Sequence, residues 1–310
     1  MFSVIFPGQG SQIVGMCKDF HKKFDIIKKL FSEADETLGF SISNLILDGP
    51  KEKLDLTENT QPAIFLVGYS IFQLMKQEFN INLSRASFFA GHSLGEYTAL
   101  AASESLSFSE TLKILKIRGQ AMQSAVPKGK GIMVAVLGSE IETVENILEK
   151  KKKEYECFIA NDNSNGQLVV SGNIEDIEKF ILDLKSKNVK NIKLPVSAPF
   201  HCKLMNKATE IMKEEISKLE FKDPKNILIS NVTGSEVSSS IVLKELLVKQ
   251  IENRVRWRES VIYMTQKGVN QFIEIGPGKV LSGLIKRIYK DVKVNAINNE
   301  EDISLVNIND

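Results

Sequence analysis

The spacing of apolar residues along the chain changes several times, and each change predicts a different element. Short continuous apolar runs, typical of buried strands, lie at Phe2–Phe6, Ser87–Ala90 and Gln271–Ile275. Helical spacing replaces them in longer segments, of which Gln61–Phe79 and Ser109–Val126 are the clearest. Strands that alternate with helices are typical of a largely parallel sheet. The predicted fold class is therefore α/β, with an α/β-hydrolase-like large subdomain.

Residues 128–196 have a different rhythm, in which short strands and polar-faced helices follow one another closely. The turn predicted at Asp162–Gly166, rich in Asn and Gly, joins two of these strands as a hairpin. The order β-α-β-β-α-β is that of a ferredoxin-like unit, which can form its own small sheet with helices on one face. We therefore expect a ferredoxin-like small subdomain at 128–196, inserted into a large catalytic subdomain formed by 1–127 and 197–310. The predicted elements of the insert are strands Ile132–Leu137, Phe158–Asn161, Gln167–Ser171 and Lys190–Pro195 and helices Glu140–Lys152 and Glu175–Lys187.

Composition and charge exclude several classes of protein. Lys and Arg total 40 against 39 for Asp and Glu, a net charge of +1 that predicts no bulk attraction to nucleic acid. The most apolar stretch, Pro62–Leu74, is too short to span a bilayer. The N-terminus lacks the basic region of a signal peptide. These features predict a cytosolic protein, or the mature form of a protein inside an organelle.

Cysteine usage argues against a disulfide framework and against a zinc site. The chain has three cysteines, an odd number, and none is in C-x-x-C spacing. No metal site is predicted. The cysteines are Cys17, Cys157 and Cys202.

The segment Gly91-His92-Ser93-Leu94-Gly95 fits the G-x-S-x-G pattern of a nucleophile elbow, with an apolar strand before it and a helix after it. A serine on such a sharp turn needs neighbours without Cβ atoms. Its position at a helix N-terminus offers free N–H donors to a developing oxyanion. The alternative is a glycine-rich loop with an incidental serine. The strand–turn–helix context favours Ser93 as a nucleophile.

A nucleophilic serine needs a base, and the chain has three histidines. His92 adjoins Ser93 and is poorly placed to face its hydroxyl, while His21 lies among lysines in a predicted exposed helix. His201 lies where the chain leaves the small subdomain and is the remaining candidate for the base.

Two further features are candidates for the same site. The turn Gly8–Gln12 follows the first strand, and its N–H groups could supply an oxyanion donor beside that of Leu94, although a plain strand-to-helix connection is the alternative. Arg118 lies among apolar residues on a predicted helix. Its side chain either reaches the surface or remains half-buried as a bidentate partner for a substrate carboxylate. The sequence leaves these two alternatives for Arg118 open.

With these residues in hand, the chain resembles the malonyl-CoA:acyl-carrier-protein transacylases of fatty-acid synthesis over nearly its whole length. Several long motifs in the same order carry the resemblance, which is more specific than any one of them. They are Phe6–Gln12, Gly91–Tyr97, Arg118-Gly119, Asn161–Gln167, Pro199–His201 and Glu274–Leu281.

The resemblance implies that Ser93 is the nucleophile and that His201 is its base and later its acid. It also implies that the backbone N–H groups of Gln9 and Leu94 form the oxyanion hole. Arg118 would hold the free carboxylate of the malonyl group.

Two more roles come from the resemblance alone. Gln250 matches the position whose backbone carbonyl orients the histidine, and Phe200 matches the version associated with malonyl rather than methylmalonyl groups. The implied substrates are malonyl-CoA and phosphopantetheinylated acyl carrier protein, with no cofactor and a monomeric enzyme. Lys286 and Arg287 are candidates for contacting an acidic carrier.

Two other functions compete with this prediction. An α/β-hydrolase-type esterase or thioesterase shares the serine elbow but usually carries its histidine late in the chain, whereas more than a hundred residues follow His201. A non-catalytic carrier-binding module could retain the fold, and it predicts no covalent adduct on Ser93.

Overall fold

The computed structural model of the protein describes residues 1–127, 129–196 and 198–308, which form two β-sheets flanked by helices. The strands are β1 (Phe2–Phe6), β2 (Phe88–Gly91), β3 (Gly131–Leu137), β4 (Cys157–Ser164), β5 (Gln167–Asn173), β6 (Lys190–Lys193), β7 (Leu228–Ile229), β8 (Glu236–Val237), β9 (Gln271–Ile275) and β10 (Lys293–Ile297). The helices are α1 (Lys18–Lys23), α2 (Asp25–Leu38), α3 (Ile42–Asp48), α4 (Lys51–Leu54), α5 (Thr57–Gln77), α6 (Leu94–Ala102), α7 (Phe108–Ser124), α8 (Ile141–Lys151), α9 (Ile174–Ser186), α10 (Asn206–Ser217), α11 (Ser240–Gln250), α12 (Trp257–Gln266), α13 (Val280–Ile288) and α14 (Glu300–Ser304).

The larger sheet has the strand order β10-β9-β1-β2-β7-β8 and is parallel except at the β7–β8 pair. β1 and β2 lie at its centre, with Phe6 opposite Gly91. The segments that follow these two strands therefore leave the sheet side by side. One is the Gln9 turn and the other is the Ser93 turn, so the sheet brings together two segments that are far apart in sequence. The carboxyl edge of a parallel sheet is where open α/β folds bind their ligands.

The smaller sheet is antiparallel, with the order β4-β5-β3-β6. Its elements follow the predicted β-α-β-β-α-β order, and one face packs on α8 and α9 through Val134, Val170 and Phe180. The other face joins the main core through Met133 and Val169. The predicted fold class, a largely parallel sheet with a ferredoxin-like insert, is confirmed. The exact subdomain boundaries stay a prediction, and residues 128 and 197 lie outside the described residues.

Strand β4 attaches the small sheet to the large subdomain. The N–H of Val255 donates to the Ala160 carbonyl at 2.8 Å, and the N–H of Asp162 donates to the Val255 carbonyl at 2.9 Å. The fully buried Asp162 also accepts from Arg258 at 3.0 Å on each oxygen. These bonds hold β4 against the segment that leads into α12.

The structure differs from the sequence prediction at the β4–β5 hairpin. The predicted hairpin is present, but the bounds predicted for its turn, Asp162–Gly166, are wrong: β4 continues to Ser164 through two irregularities in its register, and the turn is Asn165-Gly166. Asp and Asn disfavour strands on average, but tertiary contacts override such preferences. Here Asp162 pairs with Arg258, and Asn163 contacts His92.

Candidate active site

Ser93 lies on a sterically enforced turn between β2 and α6. It is the residue before α6, with φ 53° and ψ −109°, a strained conformation for a residue with a side chain. A Cβ atom on Gly91 would lie 1.9 Å from the carbonyl carbon of Gly95, and a Cβ atom on Gly95 would lie 2.3 Å from the carbonyl oxygen of Phe6. Both positions of the G-x-S-x-G pattern therefore require glycine for close backbone approach.

His201 faces Ser93 from the loop that follows the small sheet. Its Nε2 lies 2.8 Å from Ser93 Oγ, and its Nδ1 lies 2.9 Å from the backbone carbonyl of Gln250. Since a carbonyl only accepts, Nδ1 carries the proton and Nε2 is the acceptor for the serine hydroxyl. The loop is held from β5 by Ser171, whose hydroxyl donates to the Phe200 carbonyl at 2.7 Å.

The environment of His201 favours the neutral imidazole. Burial, and then the positive charge of Arg118, lower the pKa of His201 from 6.5 to about 3. The hydrogen bond to Gln250 opposes this shift. A neutral ring with a free Nε2 lone pair is the form that can accept a proton from Ser93.

Arg118 is buried, with 1% of its surface exposed, so the surface alternative left open by the sequence does not apply. Its Nη1 donates to Gln61 Oε1 at 2.8 Å, and its Nη2 donates to Gln250 Oε1 at 2.8 Å and to Ser93 Oγ at 3.1 Å. All of these acceptors are neutral. Burial lowers the pKa of the guanidinium, because the loss of solvation disfavours its charged form.

A cavity of about 160 Å³ opens beside these groups. Every residue predicted for the site lines this cavity except Gln250, whose Nε2 donates to the Ser93 carbonyl at 3.1 Å. Leu94 is the first residue of α6, so its N–H is one of the donors that a helix leaves unpaired. The cavity is lined by Gln9, Gln61, His92, Ser93, Leu94, Arg118, Met122, Met133, Asn161, Asn163, Val169, Leu194, Val196, Phe200 and His201.

The other histidines do not face the serine hydroxyl in the described structure. His92 Nε2 lies 2.8 Å from Asn163 Oδ1, and its ring packs 5.9 Å from that of Trp257. His21 lies on α1 with its ring 5.1 Å from that of Phe31. Of the histidines, His201 is thus the one whose ring faces Ser93 Oγ in the described structure.

Three polar residues that sequence reasoning did not identify complete the surroundings of Ser93. Asn231 Oδ1 accepts from the Ser93 N–H at 2.7 Å, and Glu96 accepts from Gln250 Nε2 at 2.6 Å. Gln61 holds Arg118 from α5. A signal existed for two of them, because Glu96 is an acid within the apolar first half of α6 and Asn231 lies two residues after a short apolar strand. We call Gln61, Glu96, Arg118, Asn231 and Gln250 the polar cluster.

Within 1–127, 129–196 and 198–308 there is no group of three or more His, Cys, Asp or Glu side chains placed to hold a metal ion. In the same ranges, no helix combines the length and the apolar character needed to cross a bilayer.

This fold, with an elbow serine facing a histidine, is that of an acyltransferase, and the family described as the acyl transferase domain matches residues 3–305. The malonyl CoA-acyl carrier protein transacylase of Bacillus subtilis (strain 168) is 41% identical over 303 residues, which cover 97% of this chain and 94% of that protein. The chain belongs to the malonyl-CoA:acyl-carrier-protein transacylase family.

Solved structures agree with this assignment. The crystal structure of an acyl-carrier-protein-S-malonyltransferase from Bartonella henselae matches with a TM-score of 0.95 at 40% identity, covering 98% of this chain and 97% of that one. A malonyl-transacylase in complex with a type II PKS acyl-carrier protein matches with a TM-score of 0.94 at 35% identity, covering 98% of this chain and 97% of that one.

Proposed function

We propose that this protein transfers the malonyl group of malonyl-CoA to the phosphopantetheine thiol of acyl carrier protein through a malonyl ester on Ser93, and so supplies fatty-acid chain elongation. One observation carries the proposal. Ser93 Oγ lies within hydrogen-bond distance of both the acceptor nitrogen of His201 and the guanidinium of Arg118, beside one cavity. A nucleophile, a base and a buried cation are what an acyl group with a free carboxylate requires.

In the first half-reaction, Ser93 Oγ attacks the thioester carbonyl as its proton passes to His201 Nε2. The tetrahedral intermediate carries its negative charge on the former carbonyl oxygen, where the N–H groups of Gln9 and Leu94 would donate. The C–S bond then breaks, CoA leaves with the proton from His201, and malonyl-serine remains. Gln250 orients the imidazole through its carbonyl, as the 2.9 Å contact supports.

Arg118 would bind the free carboxylate of the malonyl group. An acyl group without that carboxylate leaves the buried cation unpaired, at a cost of about 2–5 kcal/mol. Phe200 is buried against the same cavity, where its ring would limit the space beside the α-carbon. Charge and size would thus both favour malonyl groups.

In the second half-reaction, the carrier's thiol attacks malonyl-serine, with His201 accepting the thiol proton and returning it to Ser93. This chemistry needs no cofactor, since malonyl-CoA supplies the activated thioester and the carrier supplies the acceptor thiol. Lys286 and Arg287 are exposed on α13, and Arg287 donates to Gln167 on β5, so this surface borders both sheets. We infer that an acidic carrier docks there, and that the enzyme acts as a monomer in the bacterial cytoplasm or, in mature form, in an organelle matrix or stroma.

The test is intact-mass measurement after exposure to malonyl-CoA, with Ser93→Ala as the matched control. We expect one malonyl adduct on the wild type, none on Ser93→Ala, and loss of the adduct when phosphopantetheinylated carrier is added, with a matching gain on the carrier. Absence of the adduct would leave a non-catalytic module. Release of free malonate without transfer to the carrier would instead identify a thioesterase.

A further inference from the structure

Glu96 is a buried acid that the proposed reaction does not use. It lies in the first turn of α6, three residues after Ser93, with 1% of its surface exposed. Its Oε2 accepts from Gln250 Nε2 at 2.6 Å and from the Asn231 N–H at 3.2 Å. Among the ion pairs of the described residues, none involves Glu96 or Arg118. A buried carboxylate and a buried guanidinium therefore share one cluster without touching.

The side chain of Gln250 lies between these two charges. Its Oε1 accepts from Arg118 Nη2 at 2.8 Å, while its Nε2 donates to Glu96 Oε2 at 2.6 Å. The opposite orientation of the amide would place N–H against guanidinium and oxygen against carboxylate, so the two charges fix its direction. The arrangement is an ion pair with one amide inserted into it.

We propose that Glu96 balances the positive charge of Arg118 without contacting it. The Gln250 amide between them separates the two charges, so the guanidinium remains free to bind the carboxylate of the substrate. This inference rests on the proposed function, because it assigns Glu96 a part in malonyl selection. Glu96 acts through Gln250 and is a positioning residue.

The spacing matters because a direct pair and an interrupted pair respond differently to an incoming anion. If a carboxylate contacted Arg118 directly, the substrate would have to displace it and leave it buried without a partner, which is costly. In the observed arrangement, the substrate displaces only neutral acceptors, namely the Ser93 hydroxyl and the amides of Gln61 and Gln250. The arginine keeps its charge while its binding site stays open.

The mutual electrostatics agree with this geometry. The charge of Arg118 lowers the pKa of Glu96, and the charge of Glu96 raises the pKa of Arg118, although burial dominates for both. Burial raises the pKa of Glu96 to about 7. At about pH 8 the carboxyl is ionised, which sets the condition for the experiment.

The experiment compares single-turnover loading of Ser93 by malonyl-CoA and by acetyl-CoA, and its readout is the ratio of the two rates. Glu96→Gln retains an oxygen for the Gln250 and Asn231 donors but removes the charge. Without the negative charge of Glu96, the substrate carboxylate is the only anion near Arg118. We therefore expect the ratio of the malonyl to the acetyl loading rate to rise roughly three- to tenfold. A merely structural role would change both rates alike.

A charge swap gives the opposite expectation. The double variant Glu96→Gln with Gln250→Glu keeps one acid and one amide in the pair but places the carboxylate directly against Arg118. We expect its malonyl-to-acetyl ratio to fall by at least about tenfold, because the arginine is occupied. The matched control is Glu274→Gln, another fully buried acid, whose oxygens accept from Leu281 and Ser282 in α13. Its ratio should remain that of the wild type.

The outcomes separate this inference from the proposed function. If the wild type forms no malonyl adduct, the proposed function fails. If the wild type loads normally but Glu96→Gln leaves the ratio unchanged, or the folded swap variant retains it, only the role of Glu96 fails. Circular dichroism shows whether the swap variant folds, and if it does not, the ratio of Glu96→Gln decides alone.

Discussion

The turn that carries Ser93 and the polar cluster behind it are positioned by different physical means. The turn is one short segment and is fixed by sterics, because Gly91 approaches the backbone of Gly95, and Gly95 that of Phe6 on β1, too closely for any side chain. The polar cluster is drawn from α5, α6, α7, α11 and the segment after β7, and it is fixed by buried hydrogen bonds between side chains.

This contrast indicates which substitutions the site can tolerate. A steric constraint either holds or fails, so substitutions in the turn should act on folding. In a buried network, the loss of one hydrogen bond weakens the structure only in part. Replacing one side chain of the network by an isosteric group costs about 1–3 kcal/mol. Substitutions in the cluster should therefore act mainly on selectivity and on the dependence of stability on pH.

The largest expected effect comes from Gly91→Ala. Its Cβ would lie 1.9 Å from the Gly95 carbonyl carbon, a distance that only a shift of backbone can relieve. We expect the free energy of unfolding to fall by more than about 4 kcal/mol, measured by urea denaturation. Gly283→Ala on α13 is the matched control, since its Cβ would meet nothing within 4 Å, and it should stabilise by roughly 0.5–1 kcal/mol. Equal stabilities for the two variants would refute the steric account of the turn.

The same contrast explains what could be predicted from the sequence. The elbow was predictable because its determinants are contiguous, with an apolar strand, two glycines and a helix in direct succession. His201 followed by elimination, since the chain has only three histidines. The inserted small sheet was predictable from its element order.

The polar cluster was mostly not predictable from residue patterns. Glu96 and Asn231 are common residue types whose partners lie 154 and 138 positions away, respectively, and no local signal fixes such pairings. The role of Gln250 came only from the resemblance to a family. Short elements such as α3, α4 and β8 were also missed, because a few residues carry too little periodicity to identify them.

The second prediction concerns Arg118→Ala. Removal of the guanidinium should slow malonyl loading of Ser93 by about 100-fold, while acetyl loading is kept or increased, because only the malonyl group has a carboxylate to lose. Rates with the two CoA esters, measured by quenched single turnovers, give the comparison. Lys113→Ala, an exposed position on the same helix, should change neither rate. An equal loss with both esters would exclude the carboxylate-binding role and leave Arg118 a structural member of the cluster.

The smallest expected effect is on the dependence of stability on pH, where two members of the site act in opposite directions. Burial lowers the pKa of His201 from 6.5 to about 3, so on acidification the unfolded state takes up this proton first and stability falls between these values. Burial raises the pKa of Glu96 from 4.5 to about 7, so the folded state takes up that proton first and stability rises as pH falls through this range. The two contributions nearly cancel where the ranges overlap.

Glu96→Gln removes one side of this balance and leaves His201 uncompensated. Between about pH 6.5 and pH 5, its free energy of unfolding should therefore fall by about 1–2 kcal/mol more than that of the wild type, as measured by urea denaturation across a pH series. For His201→Gln we expect the reverse: over the same pH range, its free energy of unfolding should rise relative to that of the wild type. Glu236 is exposed, so the curve of unfolding free energy against pH for Glu236→Gln should be parallel to that of the wild type. If the Glu96→Gln and wild-type curves are also parallel, the pKa of Glu96 is the same in the folded and unfolded states, and burial does not raise it.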